Sequence, residues 1–185
     1  PQAIADLAAG IENGQTALSI ADGEGRNSVW LAEQGLRVTA IEIAPVAIEK
    51  ARRLAAGRQV EVNFILADML AADWPPSELK ESFDWVIGIF IQFVSGEDRE
   101  RQFAVMKQLT APGGRILLQG YTPKQLEYKT GGPSTIENLY TPESLQEAFS
   151  GWTIEELIEY EDELLEGVAH KGRSALIGVI ARKPD

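Results

Sequence analysis

The sequence predicts an α/β fold, a mostly parallel seven-stranded sheet with helices on both faces and an antiparallel C-terminal strand. As far as residue 120, short apolar runs alternate with helical patterns, which is typical of βα units and a parallel sheet. Two more apolar runs near the C-terminus, joined by a long acidic connection, complete the seven strands. At 185 residues and with no internal linker, the chain is expected to form a single domain over residues 1–185.

Turn, capping and proline signals bound the predicted elements. Gly35 closes the second helix, and Pro45 suits the first turn of the third helix, which Gly57 ends. The Pro-Gly-Gly turn at residues 112–114 separates the fourth helix from the fifth strand. The predicted helices are 2–12, 27–34, 45–56, 96–109 and 142–149. The predicted strands are 16–21, 37–42, 60–66, 83–89, 115–120, 152–161 and 174–181.

Composition and charge narrow the class of function. The formal net charge of -11 repels nucleic acids and anionic lipid surfaces, so we expect a small-molecule substrate and no nucleic-acid partner. The absence of cysteine excludes disulfides and thiolate metal sites, and no metal site is predicted. No apolar run has the length of a membrane span, and no leader precedes the first strand. We therefore expect no membrane contact, a cytoplasmic location, and a monomer or homodimer.

The most informative segment is residues 17–27, Ala-Leu-Ser-Ile-Ala-Asp-Gly-Glu-Gly-Arg-Asn, in which an apolar strand runs into a loop and then a helix. Gly23 and Gly25 permit a tight turn with positive φ and leave no side chain to hold a ligand away from the backbone. Asp22 and Glu24 would repel a pyrophosphate at this helix N-terminus. The dinucleotide fingerprint is also incomplete, because a serine stands at its third glycine. A zwitterionic, positively charged ligand suits this loop better.

Carboxylates also follow the next two strands. Glu42 ends the second strand about twenty residues beyond the loop, where an acidic side chain can accept hydrogen bonds from ribose hydroxyls. It can also serve as the negative charge ahead of the helix that opens at Pro45. Asp68, after the third strand, can accept from the exocyclic amine of an adenine or cap the following turn. Because ligands of open α/β sheets bind outside the carboxyl ends of strands, Asp22, Glu42 and Asp68 predict a ligand site there.

These motifs resemble those of class I S-adenosylmethionine-dependent methyltransferases, in their order along the chain. The segments that carry the resemblance are 22–27, Glu42, 66–68, 83–86 and 109–114. Within that superfamily, residues 21–31 and 170–175 look like the small tellurite-resistance and thiopurine methyltransferase type. The chain departs from the commonest pattern at Asn27, which replaces a third loop glycine, and at Glu42, where aspartate is also frequent. The resemblance implies a Rossmann-like sheet and S-adenosyl-L-methionine as the cofactor.

The resemblance also implies a role for each matched position. Asp22 and Gly23 would approach the methionine moiety, and Glu42 the ribose. Asp68 with Met69 would bind the adenine, and the carbonyl of Ile89 the amino group. The full set of implied cofactor residues is Asp22, Gly23, Glu24, Gly25, Arg26, Asn27, Glu42, Ile43, Asp68, Met69, Leu70 and Ile89.

Catalytic residues are harder to identify, because transfer from a sulfonium needs alignment of the reacting atoms more than a dedicated base. His170, the single histidine, is a candidate base for a protonated nucleophile, or a solvated residue. Arg173 either attracts an anionic substrate or pairs with the nearby glutamates. The glycines of residues 131–133 suggest a lid over the substrate. Phe93, together with the preceding glutamine, lies within reach of cofactor or substrate, although helix-edge packing explains it equally well.

The predicted activity is transfer of a methyl group to a small-molecule nucleophile such as a thiol or a chalcogen oxyanion. Two alternatives stay open at this point. The chain could be a non-catalytic module that binds adenosylmethionine, since an intact cofactor loop is expected in both cases. A nucleotide-dependent oxidoreductase on a related sheet is the other alternative, and the acidic loop argues against it.

Overall fold

The structure, a computed structural model, describes residues 10–71, 74–76, 79, 82–165 and 171–185. The predicted helix over residues 2–12 falls largely outside them. The strands are β1 Thr16–Ile20, β2 Arg37–Glu42, β3 Val62–Leu66, β4 Phe83–Ile89, β5 Thr110–Tyr121, β6 Thr153–Leu165 and β7 Lys171–Arg182. The helices are α1 Arg26–Glu33, α2 Pro45–Arg58, α3 Gly96–Leu109, α4 Gln125–Tyr128 and α5 Pro142–Ala148, with a 3₁₀ turn at Ile136–Asn138. Within the described ranges, no helix combines the length and apolar character that crossing a membrane requires.

The strands form one sheet in the order β3-β2-β1-β4-β5-β7-β6. Strands β1 to β5 are parallel to one another, and β7 runs antiparallel to both β5 and β6. The predicted fold class is therefore confirmed. The chain passes outward from β1 to β3 and then returns to place β4 on the other side of β1. A reversal of this kind opens a crevice at the carboxyl ends of the strands, where open α/β sheets bind ligands.

The middle of the sheet is buried on both faces. Leu18, Val86 and Leu118 belong to an apolar cluster on one face. Ala17 and Trp85, their neighbours along β1 and β4, belong to a second cluster on the opposite face. Because both faces of β1 and β4 are covered, most residues of these strands are apolar and do not alternate with polar ones.

Several element boundaries differ from the prediction, and for two of them the cause is a terminal conformation or a long-range pairing. Helix α2 passes through the glycine predicted to end it and continues to Arg58, because Gln59 takes the left-handed conformation (φ +58°) that stops the helix. Strand β5 begins at Thr110 rather than at residue 115, because Thr110 pairs with Phe83 across a register shift in the ladder. Local sequence signals show neither the left-handed conformation of Gln59 nor the pairing of Thr110 with Phe83.

Strands β6 and β7 form a long antiparallel hairpin that is paired from Thr153 and Arg182 to Leu165 and Lys171. Both strands are longer than predicted, so most of the acidic run assigned to a connection belongs to β6 instead. Residues 166–170 lie outside the described residues. Strand β6 is one of the two edge strands of the sheet, and charged side chains on an edge strand oppose pairing with a second chain.

Candidate functional site

The segments that follow β1, β2 and β3 meet at the carboxyl edge of the sheet. The amide of Asp22 donates to the carbonyl of Ile41 (3.0 Å), and the amide of Ala67 donates to the carbonyl of Glu42 (3.1 Å). These bonds continue the parallel ladders beyond the last strand residues. The three carboxylates predicted from the sequence therefore leave the sheet at adjacent positions.

The two loop glycines have different surroundings, although the sequence predicts one role for both. Gly23 has φ +65°, and a Cβ added to it would meet nothing within 4 Å. Gly25 has φ +88°, and an added Cβ would lie 2.7 Å from Cβ and 2.9 Å from Cα of Ala51 in α2. Gly23 therefore leaves open space for a ligand beside the loop, whereas Gly25 lets the loop pack against α2.

Asp22 is 7% exposed and is bound to the protein itself. Its Oδ1 accepts from the hydroxyl of Ser19 (2.7 Å) and the amide of Ser28 (3.1 Å), and its Oδ2 accepts from the Ser28 hydroxyl (2.5 Å). Burial raises the pKa of Asp22, while the bonds from Ser28 and Ser19 oppose that rise. The negative charge of Glu42 raises the pKa further. Asp22 thus stabilises the loop through its hydrogen bonds to Ser19 and Ser28. Its carboxylate also places negative charge behind Gly23.

Asp22→Asn is expected to be at least as stable as the wild type at neutral pH. Because burial raises the folded-state pKa above the unfolded value, ionising Asp22 costs stability as the pH rises from the unfolded pKa through the folded one. Asparagine keeps the oxygen that accepts from Ser19 and Ser28 and can donate to the Ser28 hydroxyl. Urea midpoints of both proteins between about pH 4 and about pH 8 should diverge in favour of the variant as the pH rises. If the urea midpoint of the variant were lower than that of the wild type by the same amount at every pH, this prediction would be wrong.

Glu42 connects the loop after β1 to the start of α2. Its Oε2 accepts from the amide of Gly23 (2.8 Å), and its Oε1 accepts from the amide of Ala44 (2.9 Å), the residue that caps α2. The structure therefore shows the helix-terminus role of Glu42. The side chain also lines the crevice, where its contact with a ribose stays a prediction. Each carboxylate oxygen has a second lone pair that can accept from a ligand hydroxyl.

Asp68 caps the turn that follows β3. Its Oδ1 accepts from the amide of Leu70 (2.8 Å), and its main-chain carbonyl accepts from the amide of Ala71 (3.1 Å). The capping role is therefore present. The side chain is also exposed at the crevice, where it can accept from a ligand amine as well.

A cavity of about 420 Å³ opens between these segments. Apart from the carboxylates of Glu42 and Asp68, its wall is apolar. It is lined by Ala21, Ile41, Glu42, Ile43, Ala67, Asp68, Met69, Leu70 and Phe93. This size lies within the range of small-molecule sites, and an apolar slot edged by two acceptors fits a flat heteroaromatic ring joined to a sugar. The residues present therefore fit the adenosine part of the implied cofactor.

Several lining residues escaped sequence analysis. Ala21 and Ala67 carry no chemical signal, and Ile41 reads only as a buried strand residue. Phe93, for which the sequence left contact with a ligand and helix-edge packing equally open, is 49% exposed at the rim of the cavity.

The remaining implied cofactor residues do not line this cavity, as far as the described residues show. Glu24 points to Lys50 of α2 (2.5 Å), whose hydrogen bond lowers the pKa of Glu24. Arg26 and Asn27 are the first two residues of α1. Ile89 ends β4 and packs against the second apolar cluster. Their roles toward a cofactor stay predictions.

Of the two predicted catalytic residues, His170 lies outside the described residues. Arg173 is exposed and pairs with Glu161 of β6, with Nη2 and Nε 2.5 and 2.9 Å from the same carboxylate oxygen. Hydrogen bonds from Lys124 and Arg173 lower the pKa of Glu161 to about 2. The guanidinium also lies 5.2 Å from the ring centre of Tyr128. The structure therefore favours the pairing interpretation of Arg173 over attraction of a substrate anion.

The segment predicted to be a lid is bound to the fold at several points. Gln125, 1% exposed, donates to the hydroxyl of Thr130 and the carbonyl of Gly131 (both 3.0 Å), and accepts from the amide of Ala175 (2.9 Å). A Cβ on Gly132 would lie 2.8 Å from the Tyr121 ring. These glycines therefore serve close packing, which disfavours the lid hypothesis.

Comparison with known proteins identifies the family. Residues 17–114 match the family described as "Methyltransferase domain". This is more than half of the chain, and the chain therefore belongs to this family. The resemblance to class I methyltransferases is confirmed, and the oxidoreductase alternative is not favoured.

Individual proteins agree with this assignment. A demethylmenaquinone methyltransferase of Thermus thermophilus is 32% identical over 108 residues, which are 57% of this chain and 47% of the relative. The chain therefore spans about half the length of the curated relative that it matches. TehB from Haemophilus influenzae has a TM-score of 0.78 at 21% identity, covering 99% of this chain and 62% of that one. The N-methyltransferase NodS from Bradyrhizobium japonicum, in complex with S-adenosyl-L-homocysteine, has a TM-score of 0.75 at 15% identity, covering 100% and 85%. At these identities the solved structures support the fold alone.

Proposed function

We propose that the chain binds S-adenosyl-L-methionine at the carboxyl ends of β1 to β4 and transfers its methyl group to a small-molecule nucleophile. The observation that carries the proposal is the apolar cavity edged by Glu42 and Asp68, beside the open space at Gly23. A dinucleotide cofactor fits this edge less well, because Glu42 in the cavity wall and Asp22 behind the loop would repel its pyrophosphate. A sulfonium cofactor adds positive charge where these carboxylates lie.

Each part of the site has a task in this proposal. Glu42 accepts from the ribose hydroxyls while its hydrogen bonds to the Gly23 and Ala44 amides keep the carboxylate in place. Asp68 accepts from the adenine amine, and Met69 and Phe93 enclose the ring. The sulfonium supplies an activated methyl group, so the protein needs only to align the nucleophile and exclude water.

The acceptor is proposed to be a small nucleophile that needs little help from a base, such as a thiol or a chalcogen oxyanion. The chain has one histidine, His170, which lies outside the described residues, and Arg173 is held by Glu161. We therefore assign no proton transfer to either residue. The net charge of -11 supports a small-molecule acceptor over a nucleic acid.

Calorimetric titration with adenosylmethionine, adenosylhomocysteine and NADH tests the cofactor, and adenosylhomocysteine formation tests the reaction. We expect both adenosyl ligands to bind, NADH not to bind, and at least one acceptor to turn over among thiols, tellurite, selenite and small amines. NADH binding without affinity for adenosylhomocysteine would overturn the proposal. Binding of adenosylmethionine without turnover of any acceptor would favour the non-catalytic module.

A further inference from the structure

Residues 90–93, the first part of the link from β4 to α3, lie between the cofactor cavity and the segment that follows β5. Phe93 lines the cavity. At the other end of the link, Phe90 stacks on Tyr121, with ring centres 4.7 Å apart and planes inclined by 26°. Phe90 has φ +56°, a strained conformation for a residue with a side chain, and its amide donates to the carbonyl of Gln119 (2.8 Å). The link is therefore held in one specific path.

The cofactor side of this link is anchored by a buried amide. Gln102 of α3 is 0% exposed, and its Nε2 donates to the carbonyl of Ile91 (3.3 Å) and lies 3.6 Å from Sδ of Met69. Met69 is part of the cavity wall. The wall that would hold the adenine and the link after β4 are thus connected through one side chain.

The other side of the link is anchored by Gln92, which is 3% exposed. Its Oε1 accepts from the amide of Tyr121 (2.6 Å), and its Nε2 donates to the carbonyls of Tyr121 (2.9 Å) and Asn138 (3.1 Å). The Tyr121 carbonyl also accepts from the amide of Tyr140 (3.0 Å). A Cβ on Gly120 would lie 2.5 Å from the Gln92 Oε1. The Gln92 amide therefore packs directly against the main chain at Gly120, where a side chain would not fit.

We infer that Gln92 is a positioning residue for methyl transfer, which fixes the end of β5 and residues 138–140 relative to the cofactor cavity. This inference rests on the proposed function. The cavity occupies the ends of β1 to β3, so an acceptor must approach over the ends of β4 and β5, where Tyr121 and Asn138 lie. An apolar side chain could fill the same volume, but it could not set the distance between two main-chain segments through three directed hydrogen bonds.

Gln92→Glu changes the hydrogen bonding with little change in shape. A carboxylate can accept from the Tyr121 amide, but it cannot donate to the carbonyls of Tyr121 and Asn138, whereas a protonated carboxyl can donate to one of them. Burial against carbonyls raises the pKa of such a carboxyl. Nearby, burial raises the pKa of the Tyr140 phenol above its ordinary value, and the guanidinium of Arg99 donates to the carbonyl of Glu137. The new carboxyl is therefore the group expected to titrate.

The experiment compares wild type, Gln92→Glu and the control Gln125→Glu. Gln125 is equally buried and also accepts from one amide while donating to a carbonyl, but its hydrogen bonds go to Thr130, Gly131 and Ala175 rather than to the link after β4. With an acceptor found in the panel above, kcat/KM of Gln92→Glu should fall roughly 30-fold at about pH 9 and recover to within about threefold of wild type at about pH 6. The affinity for adenosylhomocysteine should change by less than about threefold. The control should lose stability while keeping wild-type turnover at both pH values.

The possible outcomes separate this inference from the proposed function. Wild-type kinetics in Gln92→Glu, a loss that does not depend on pH, or a parallel loss of adenosylhomocysteine affinity would each overturn the positioning role. The same loss of turnover in the Gln125→Glu control would also overturn it, because a buried charge at any position would then be enough to lower turnover. A wild-type protein that turns over no acceptor would overturn the proposed methyl transfer, and the positioning role with it.

Discussion

Gly25→Ala is expected to lower the free energy of unfolding by about 2 to 4 kcal/mol and to abolish binding of adenosylhomocysteine. The new methyl group would lie 2.7 Å from Cβ and 2.9 Å from Cα of Ala51. A main-chain atom in the middle of α2 cannot move aside as a flexible side chain can. The positive φ of +88° adds backbone strain. Urea unfolding measures the first effect, and calorimetric titration measures the second.

Gly23→Ala is the matched control, because Gly23 also has a positive φ (+65°) but lacks the steric contact. Nothing lies within 4 Å of its added Cβ, so stability should fall by only about 1 kcal/mol. The methyl group would occupy the space proposed for the cofactor, so adenosylhomocysteine should bind at least about tenfold more weakly. Equal losses of stability in the two variants would contradict the packing role of Gly25. Wild-type affinity in Gly23→Ala would contradict the placement of the ligand.

The fold could be predicted from the sequence wherever an element is defined by its own residues. The bounds of β2, β4 and α3 agree with the prediction, because apolar runs and turn residues mark both ends. Elsewhere the end of an element depends on distant partners. Thr110 begins β5 by pairing with Phe83, and β6 is prolonged by β7 despite its acidic residues. Local propensity carries no information about such pairings.

The position of the candidate site could be predicted from the sequence, but the hydrogen bonds and packing of its residues could not. Glu42 and Asp68 lie where strand ends and topology place them, and both also bond to nearby amides. From the sequence, capping a nearby turn or helix and accepting from a ligand look like alternative roles. The structure shows that a carboxylate bonded to a nearby amide still has lone pairs that a ligand could use. The packing of Gly25 on Ala51 joins positions far apart in the chain. The enclosure of Asp22 by two serines likewise depends on the path of the loop.

Glu42→Gln is expected to weaken adenosylhomocysteine binding by roughly 30-fold, with a loss of about 1 to 2 kcal/mol in stability. The carboxylate accepts from the amides of Gly23 (2.8 Å) and Ala44 (2.9 Å) with different oxygens. A glutamine has only one acceptor oxygen, so its NH₂ group must face one of these N–H donors. Either the loop or the start of α2 then loses its hydrogen bond, and one acceptor for the ribose is replaced by a donor.

A ligand without the 2′-hydroxyl separates the ribose contact from the structural one. The wild type should bind the 2′-deoxy analogue of adenosylhomocysteine about tenfold more weakly than adenosylhomocysteine itself, because an acceptor is left without its donor. Glu42→Gln should bind the two ligands with nearly equal affinity, since the acceptor is already altered. This coupling is the signature of direct contact in a double-mutant cycle. If the variant retains the full preference for the hydroxyl, Glu42 acts only as the tie between the loop and α2.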